Sequence, residues 1–280
     1  MGAQAMLHRA DPSTRPVADV QGSADPRDLP LQQVGIRGVR FPVAVHTRAG
    51  HPQHSVATLG MDIGLAGDRR GAHLSRFLEV AGTDPLAIQA GSLGRLLERM
   101  LVRLDAGSGR IDIAFPYFVC KNAPVSGSAG LIDYEVGVTV ASNGHGAELS
   151  LRVAVPVTSL CPCSKAIADY GAHNQRSQVI VTLPTDGTLW IDDLIELVEA
   201  QASSELFALL KREDERLVTQ RAYDNPKFVE DLVRDVAAQL ERDPRVGAYR
   251  VSCENFESIH NHSAFALIER DGRPGLNGHG

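Results

Sequence analysis

"DYEVGVTVASNGHGAELSLRVAVPV" spans residues 133–157. Its first part alternates Tyr134, Val136, Val138 and Val140 on one side. Its last part alternates Leu149, Leu151, Val153, Val155 and Val157 in the same way. A two-residue apolar period is what a strand shows when one face lies on a core and the other faces solvent. Between the two, "ASNGHG" (141–146) carries Asn143–Gly144, a pair suited to a tight reversal. The stretch therefore predicts two strands joined by a turn, and its flanks decide what those strands belong to.

Upstream, "QVGIRGVRFPVAV" (33–45) places Val39, Phe41, Val43 and Val45 on one face. "SVATLGMDIGL" (55–65) does the same with Ala57, Leu59, Met61 and Ile63. "SLGRLLERMLVRL" (92–104) changes period: Leu93, Leu96, Leu97, Met100, Leu101 and Leu104 form one apolar helical stripe. "RIDIAFPYFV" (110–119) returns to strand character. Downstream the same order begins again. "QVIVTL" (178–183) is a strand; Ile191, Leu194, Ile195 and Val198 mark a helix; Val229, Leu232, Val233, Val236 and Leu240 mark another. Asn225 followed by Pro226 is the expected start of that last helix. "YRVSCENFES" (249–258) and "SAFALIERDG" (263–272) close the chain as strands.

Strands bunched around helices, twice over, predict an α+β fold with antiparallel sheets backed by helices. The boundaries are a leader at 1–30, a first unit at 31–145, a second unit at 146–272, and a tail at 273–280. Leader and tail are rich in Pro, Asp, Ser and Gly and are expected to be flexible. Two such sheets side by side leave strand edges that need covering, which oligomerisation supplies.

Composition narrows the function. The chain has 280 residues, 43% of them apolar and 22% charged, with a net charge of −6. That balance argues against nucleic acid as a partner. No stretch has the roughly 18–20 continuous apolar residues needed to cross a bilayer, and no secretory signal precedes the first unit. The expectation is a soluble, cytoplasmic protein with reduced thiols, because four cysteines at these spacings do not form a disulfide framework.

Two of those cysteines fall in "SLCPCSKAIADYGAHNQRS" (159–177), with His173 twelve residues after Cys161. Thiolate and imidazole together suit zinc and similar borderline metals. A closed structural site wants ligands in two pairs; here Cys-x-Cys is followed by one histidine, and Cys120 and Cys253 lie far off. The shortage points to an open metal site finished by a carboxylate or water. Redox chemistry at Cys161 and Cys163 stays open, although Cys-x-Cys is not the usual redox spacing, and Cys163 also fits a buried apolar role. A second cluster, "CENFESIHNHSAF" (253–265), brings Glu254, Glu257, His260 and His262 between two strands, with the two histidines on one side of an extended segment. Glu230 sits at the border of its helix's apolar stripe, about 100° from Val229, where it could face a pocket rim.

Taken together, "GDRRGAHLSRF" (67–77), "TSLCPCSKAIADYGAHNQRSQ" (158–178), "LLKREDERLVT" (209–219), "AYDNPKFVEDLVRD" (222–235) and "CENFESIHNHSAFA" (253–266) resemble the prokaryotic type IB GTP cyclohydrolases. The resemblance runs from about residue 20 to the end. It implies two tandem tunnelling-fold (ββααββ) units, closed into barrels in a homotetramer with active sites at subunit interfaces. It implies a divalent metal, zinc or manganese, and GTP as the substrate that yields 7,8-dihydroneopterin triphosphate and formate. Carried over by position, Cys161, His173, Glu215 and His260 surround the metal, His260 and His262 are candidates for proton transfer, and Glu230 holds the purine. Arg69, Arg70, Arg76, Lys165 and Arg176 form the pool from which triphosphate contacts come. The chain departs from the family pattern at "KREDER" (211–216), where "KRPDEK" is frequent, which bears on the placement of Glu215. Two alternatives stay open: a nitrile reductase of the same fold with a cysteine nucleophile, and a non-catalytic metal-binding scaffold.

Overall fold

The computed structural model describes residues 19–272. The expected tail, and residues 1–18 of the expected leader, lie outside the described residues. In the first half, β1 (Leu31–Val45) and β2 (Gln53–Leu65) precede α1 (Ser75–Ala81), the short β3 (Leu86–Ile88) and α2 (Ala90–Leu104). Then come β4 (Gly109–Asn122) and β5 (Ala129–Ser142). In the second half, β6 (Glu148–Leu160), α3 (Pro162–Ile167) and β7 (Asn174–Pro184) lead into α4 (Ile191–Gln201), β8 (Ser204–Glu205), α5 (Arg212–Asp224) and α6 (Val229–Leu240). β9 (Tyr249–Asn255) and β10 (Ala264–Arg270) end the described chain.

All the strands form one sheet, in the order β10-β9-β7-β6-β5-β4-β2-β1-β3, with β8 pairing to β6. Every pairing is antiparallel except the three residues joining β1 to β3. The fold is α+β, with the helices on one face of the sheet. Residues 133–157 sit at its centre: β5 and β6 pair from Glu135↔Ala154 to Ala141↔Glu148. Gly144 and Gly146, at φ of 99° and 105°, make the reversal that a side chain would strain.

The two periodicities meet in the core. Ala57, Leu59, Met61 and Ile63 on β2 share one buried core with Leu93, Leu96, Leu97, Met100 and Leu104 of α2, which packs over β4 and β5. Each such large side chain contributes about 1.5–3 kcal/mol on leaving water. The second half repeats this with Leu151, Val153, Val155 and Val157 beneath Leu194, Val198, Leu232, Val233 and Val236. The opposite face of the sheet is polar; Thr58, Asp62, Arg110, Asp112, Thr139 and Arg152 line a concavity of about 780 Å³ there.

Two expectations are corrected. Asn225 and Pro226 do not start α6: its first residue is Val229, and the Asp231 carboxylate accepts the Phe228 N–H at 3.3 Å to cap it. Asn225 instead ends α5, and its amide donates to the Ala202 carbonyl at 2.8 Å. The described end of the leader is also not free of the fold. Gly71 N–H donates to Gln21 O, Arg70 N–H to Ser23 O, and Asp25 N–H to Asp68 O, which lays residues 21–25 along 68–71.

Candidate active site

β6 ends at Leu160 and β7 starts at Asn174, and those two residues are register partners. The thirteen residues between them must therefore leave the sheet and return to the same point, which closes the loop carrying Cys161 and His173. Cys161 N–H donates to the His173 carbonyl at 3.1 Å. Ser164 Oγ sits across the loop, donating to Cys161 O at 3.1 Å and accepting from His173 N–H at 3.2 Å. Lys227 N–H donates to Leu160 O at 3.0 Å, which brings the start of α6 against the same strand end.

A pocket of about 290 Å³ lies where these ends converge. Cys161, His173, Glu230, His260 and His262 all line it, and so do Gln175, Lys227, Asn255 and Glu257. Glu230 is exposed at the first turn of α6, on the pocket rim. His260 and His262 lie in the β9–β10 connection, not in an extended strand, with rings stacked at 5.0 Å between centroids. The His173 ring is hemmed in: Nδ1 lies 3.0 Å from Gln175 Oε1, 3.5 Å from Ser258 Oγ and 4.0 Å from Glu257 Oε2.

Other predicted site residues are not brought to this lining. Glu215 is exposed in the first turn of α5. Its neighbour Asp214 is fully buried, accepting from Val125 N–H, Ser126 N–H, Ser126 Oγ–H and Lys211 N–H. Burial alone would raise the Asp214 pKa, but its bonds to Ser126, Lys211 and Val125 prevail and hold it well below the ordinary carboxylate value. The start of α5 is fixed by Asp214. Arg69 donates to Asp105 O at 2.8 Å at the C-terminus of α2, and Arg70 and Arg76 stand in the same first-half segment. Lys165 donates to Tyr223 O and stands 4.2 Å from that ring's centroid. Arg176 is exposed on β7. Cys163 is exposed, so its expected burial does not hold; Cys253 is the buried one, and burial pushes its thiol up to about 12.

Reasoning from sequence missed Lys227, which lines the pocket and is ion-paired to Asp235 at 2.5 Å, and the polar residues Gln175 and Asn255. Their signal was present. Gln175, Ser177, Val179 and Val181 share one inward strand face, and two of the four are polar where the core wants apolar groups.

The donor set suits a divalent metal of the zinc or manganese kind: a thiol, an imidazole fixed beside it, and carboxylate and further imidazole groups at the rim. Among the described residues no three His, Cys, Asp or Glu side chains enclose a metal position. Cys161 and His173, joined through the backbone and both lining the pocket, are the residues of this chain that could hold one side of such an ion.

The fold and pocket define a class: an antiparallel α+β sheet with a thiol–imidazole cleft at its strand ends, beside a helix-borne carboxylate. The family model described as Type I GTP cyclohydrolase folE2 matches residues 17–266, and the chain belongs to that family. It is 53% identical over 257 residues to the GTP cyclohydrolase FolE2 of Nitrosococcus oceani, covering 92% of this chain and 96% of that one. It is 53% identical over 262 residues to the GTP cyclohydrolase FolE2 of Methylobacillus flagellatus, covering 94% and 98%. Among solved structures, a uricase from Bacillus fastidious superposes with a TM-score of 0.51 at 9% identity, covering 86% of this chain and 94% of that one. A urate oxidase from Bacillus sp. TB-90 gives 0.51 at 9% identity, covering 86% and 100%. At those identities the likeness is one of fold alone.

Proposed function

We propose that this protein is a metal-dependent GTP cyclohydrolase of type IB, converting GTP and water to 7,8-dihydroneopterin triphosphate and formate at the start of folate or pterin synthesis. The observation that carries the reading is the closed 161–173 loop: it sets Cys161 and His173 side by side in a pocket that Glu230 also lines, in a chain whose relatives are named GTP cyclohydrolase FolE2.

Cys161 and His173 would hold the metal, with His260 nearby and Glu215 supplied by a neighbouring copy. A divalent ion so bound supplies the Lewis acidity that makes water a nucleophile near neutral pH. The chain's own residues do the rest. Glu230 accepts two parallel hydrogen bonds from N1–H and the 2-amino group of guanine, a pair adenine cannot offer. The stacked imidazoles of His260 and His262 deliver a proton to N7 as the imidazole ring of the substrate opens. Lys227 joins Arg69, Arg70, Arg76, Lys165 and Arg176 as a candidate for the triphosphate.

The same reading holds that the chain is two tandem tunnelling-fold units, 31–145 and 146–272, assembled as a homotetramer. Two features support it. The sheet ends at β10 and at the short β3, which pairs only with Val43–Val45 of β1, and edge β10 exposes Phe265 and Leu267, which an added strand from another copy would cover. A cytoplasmic location belongs to the proposal as well; no described helix is long and apolar enough to cross a membrane.

The test is to strip the protein with chelator, return zinc or manganese, and supply GTP. Release of formate with formation of a pterin that fluoresces after oxidation is the expected result. A folded, metal-loaded sample giving neither would leave the scaffold reading in its place.

A further inference from the structure

Beneath the pocket, three neighbouring strands exchange apolar core residues for polar ones at the same end. On β6, Val155 and Val157 are followed inward by Ser159; on β7, Val181 and Val179 by Ser177 and Gln175; on β9, Val251 and Cys253 by Asn255. Ser159 is the register partner of Gln175, and Ser177 of Asn255. All four polar residues are buried: Gln175 is 7% exposed, Asn255 3%, Ser177 1% and Ser159 0%. Buried polar groups are costly unless satisfied, and these satisfy one another. Gln175 Nε2 donates to Ser159 Oγ at 2.8 Å, Ser159 and Ser177 hydroxyls lie 2.8 Å apart, and Ser177 Oγ donates to Asn255 Oδ1 at 2.7 Å.

Proton counting gives this chain a direction. A serine hydroxyl has one proton. Ser177 spends its own on Asn255, so Ser159 donates to Ser177, and Ser159 in turn accepts from the Gln175 amide N–H. Gln175 therefore turns its oxygen outward, towards His173 Nδ1 at 3.0 Å. Asn255 Oδ1 is fixed as the sink because a second donor, the Cys253 thiol at 3.6 Å, also points to it; burial keeps that thiol protonated. The remaining groups around Nδ1, Ser258 Oγ and Glu257 Oε2, can both accept.

We propose that Gln175 is a positioning residue which holds the His173 ring as the Nδ1–H tautomer, with Nε2 bare, at the head of a one-way chain running through Ser159 and Ser177 to Asn255. On the reading of the pocket as a metal site, on which this role rests, the bare nitrogen is the one available to the ion, and the ring enters the metal shell already in the protonation state that ligation needs. The core ends in polar residues on these three strands because they carry this constraint from the sheet interior to the ligand.

The test compares full-length, metal-free, 15N-histidine-labelled wild type with Gln175→Leu, Gln175→Glu and Ser159→Ala, at a pH where imidazole is neutral. The His173 signals are assigned by a His173→Asn sample, and zinc affinity is measured by chelator competition. Wild type should show His173 as Nδ1–H. Gln175→Leu should lose that preference and bind zinc about 10–100-fold more weakly. Gln175→Glu keeps an acceptor facing Nδ1 and should retain the wild-type tautomer. Ser159→Ala frees the amide to turn and should give mixed tautomers even if the leucine variant fails to fold. An Nε2–H ring in wild type, or a pure Nδ1–H ring with unchanged zinc affinity in both the leucine and alanine variants, overturns the assignment. A wild type that is Nδ1–H yet takes up no zinc supports the chain and removes the metal reading, so the two failures are distinguishable.

Discussion

Cys161 and His173 are joined through the backbone: the N–H of the first donates to the carbonyl of the second at 3.1 Å. Two side chains twelve residues apart in sequence thereby share one closed loop, anchored at the register pair Leu160↔Asn174. The fixed part of the pocket needs no other chain to form, and several consequences can be measured.

Removing the thiol should silence the pocket without loosening the fold. Cys161→Ala is expected to lower GTP turnover more than about a hundredfold, a ligand counting for at least as much as the groups behind it. Its folded-state bond from Ser164 N–H, at 3.5 Å, is to sulfur, a weak acceptor, so size-exclusion and thermal unfolding of the metal-free protein should match wild type. Collapse of the assembly would assign the metal a structural role.

Glu230→Gln keeps the shape of the side chain but replaces one acceptor oxygen by a donor aimed at a donor. Metal content should be unchanged while kcat/KM for GTP falls by about a hundredfold or more. An unaltered kcat/KM would take Glu230 out of the guanine contact.

Thiol reactivity should sort by position. Cys120 and Cys163 are exposed and Cys253 is buried with its pKa pushed up to about 12, so a disulfide reagent should label the first two in the native protein and Cys253 only on unfolding. Bound zinc should protect Cys161 alone. Cys163→Ser should leave metal affinity intact; a Cys163→Ser protein that cannot load zinc would move the ligand set.

How much of this the sequence disclosed follows the physics of each feature. Period-two and period-3.6 patterns such as Ala57–Ile63 and Leu93–Leu104 report burial directly, and both became strand and helix as expected. The pairing of Cys161 with His173 was legible because apolar strands flank the loop and force its ends together. The start of α6 was misread because Asn225–Pro226 has the composition of a helix start, whereas the cap comes from Asp231 reaching back to Phe228. Glu215 could not be placed from spacing: its exposed position on α5 depends on the Asp214 clamp to residues 125–126, about ninety positions away in sequence. The polar chain from Gln175 to Asn255 is spread over three strands, each contributing residues that look unremarkable singly.

That clamp has its own pH signature. Asp214 is held below its ordinary pKa, so its contribution is complete above about pH 4 and is lost only as pH falls through the depressed folded-state value. Asp214→Asn should lower the Tm by several degrees at neutral pH and flatten the loss of stability in acid, followed by circular dichroism. A variant with the wild-type acid profile would show that the carboxylate charge contributes nothing there.

X-ray absorption at the zinc edge of the loaded protein asks the central question outright. The account predicts one sulfur neighbour at about 2.3 Å with nitrogen and oxygen completing the shell, and loss of that sulfur in Cys161→Ala. A shell of two or more sulfurs, or one with no sulfur at all, would contradict it.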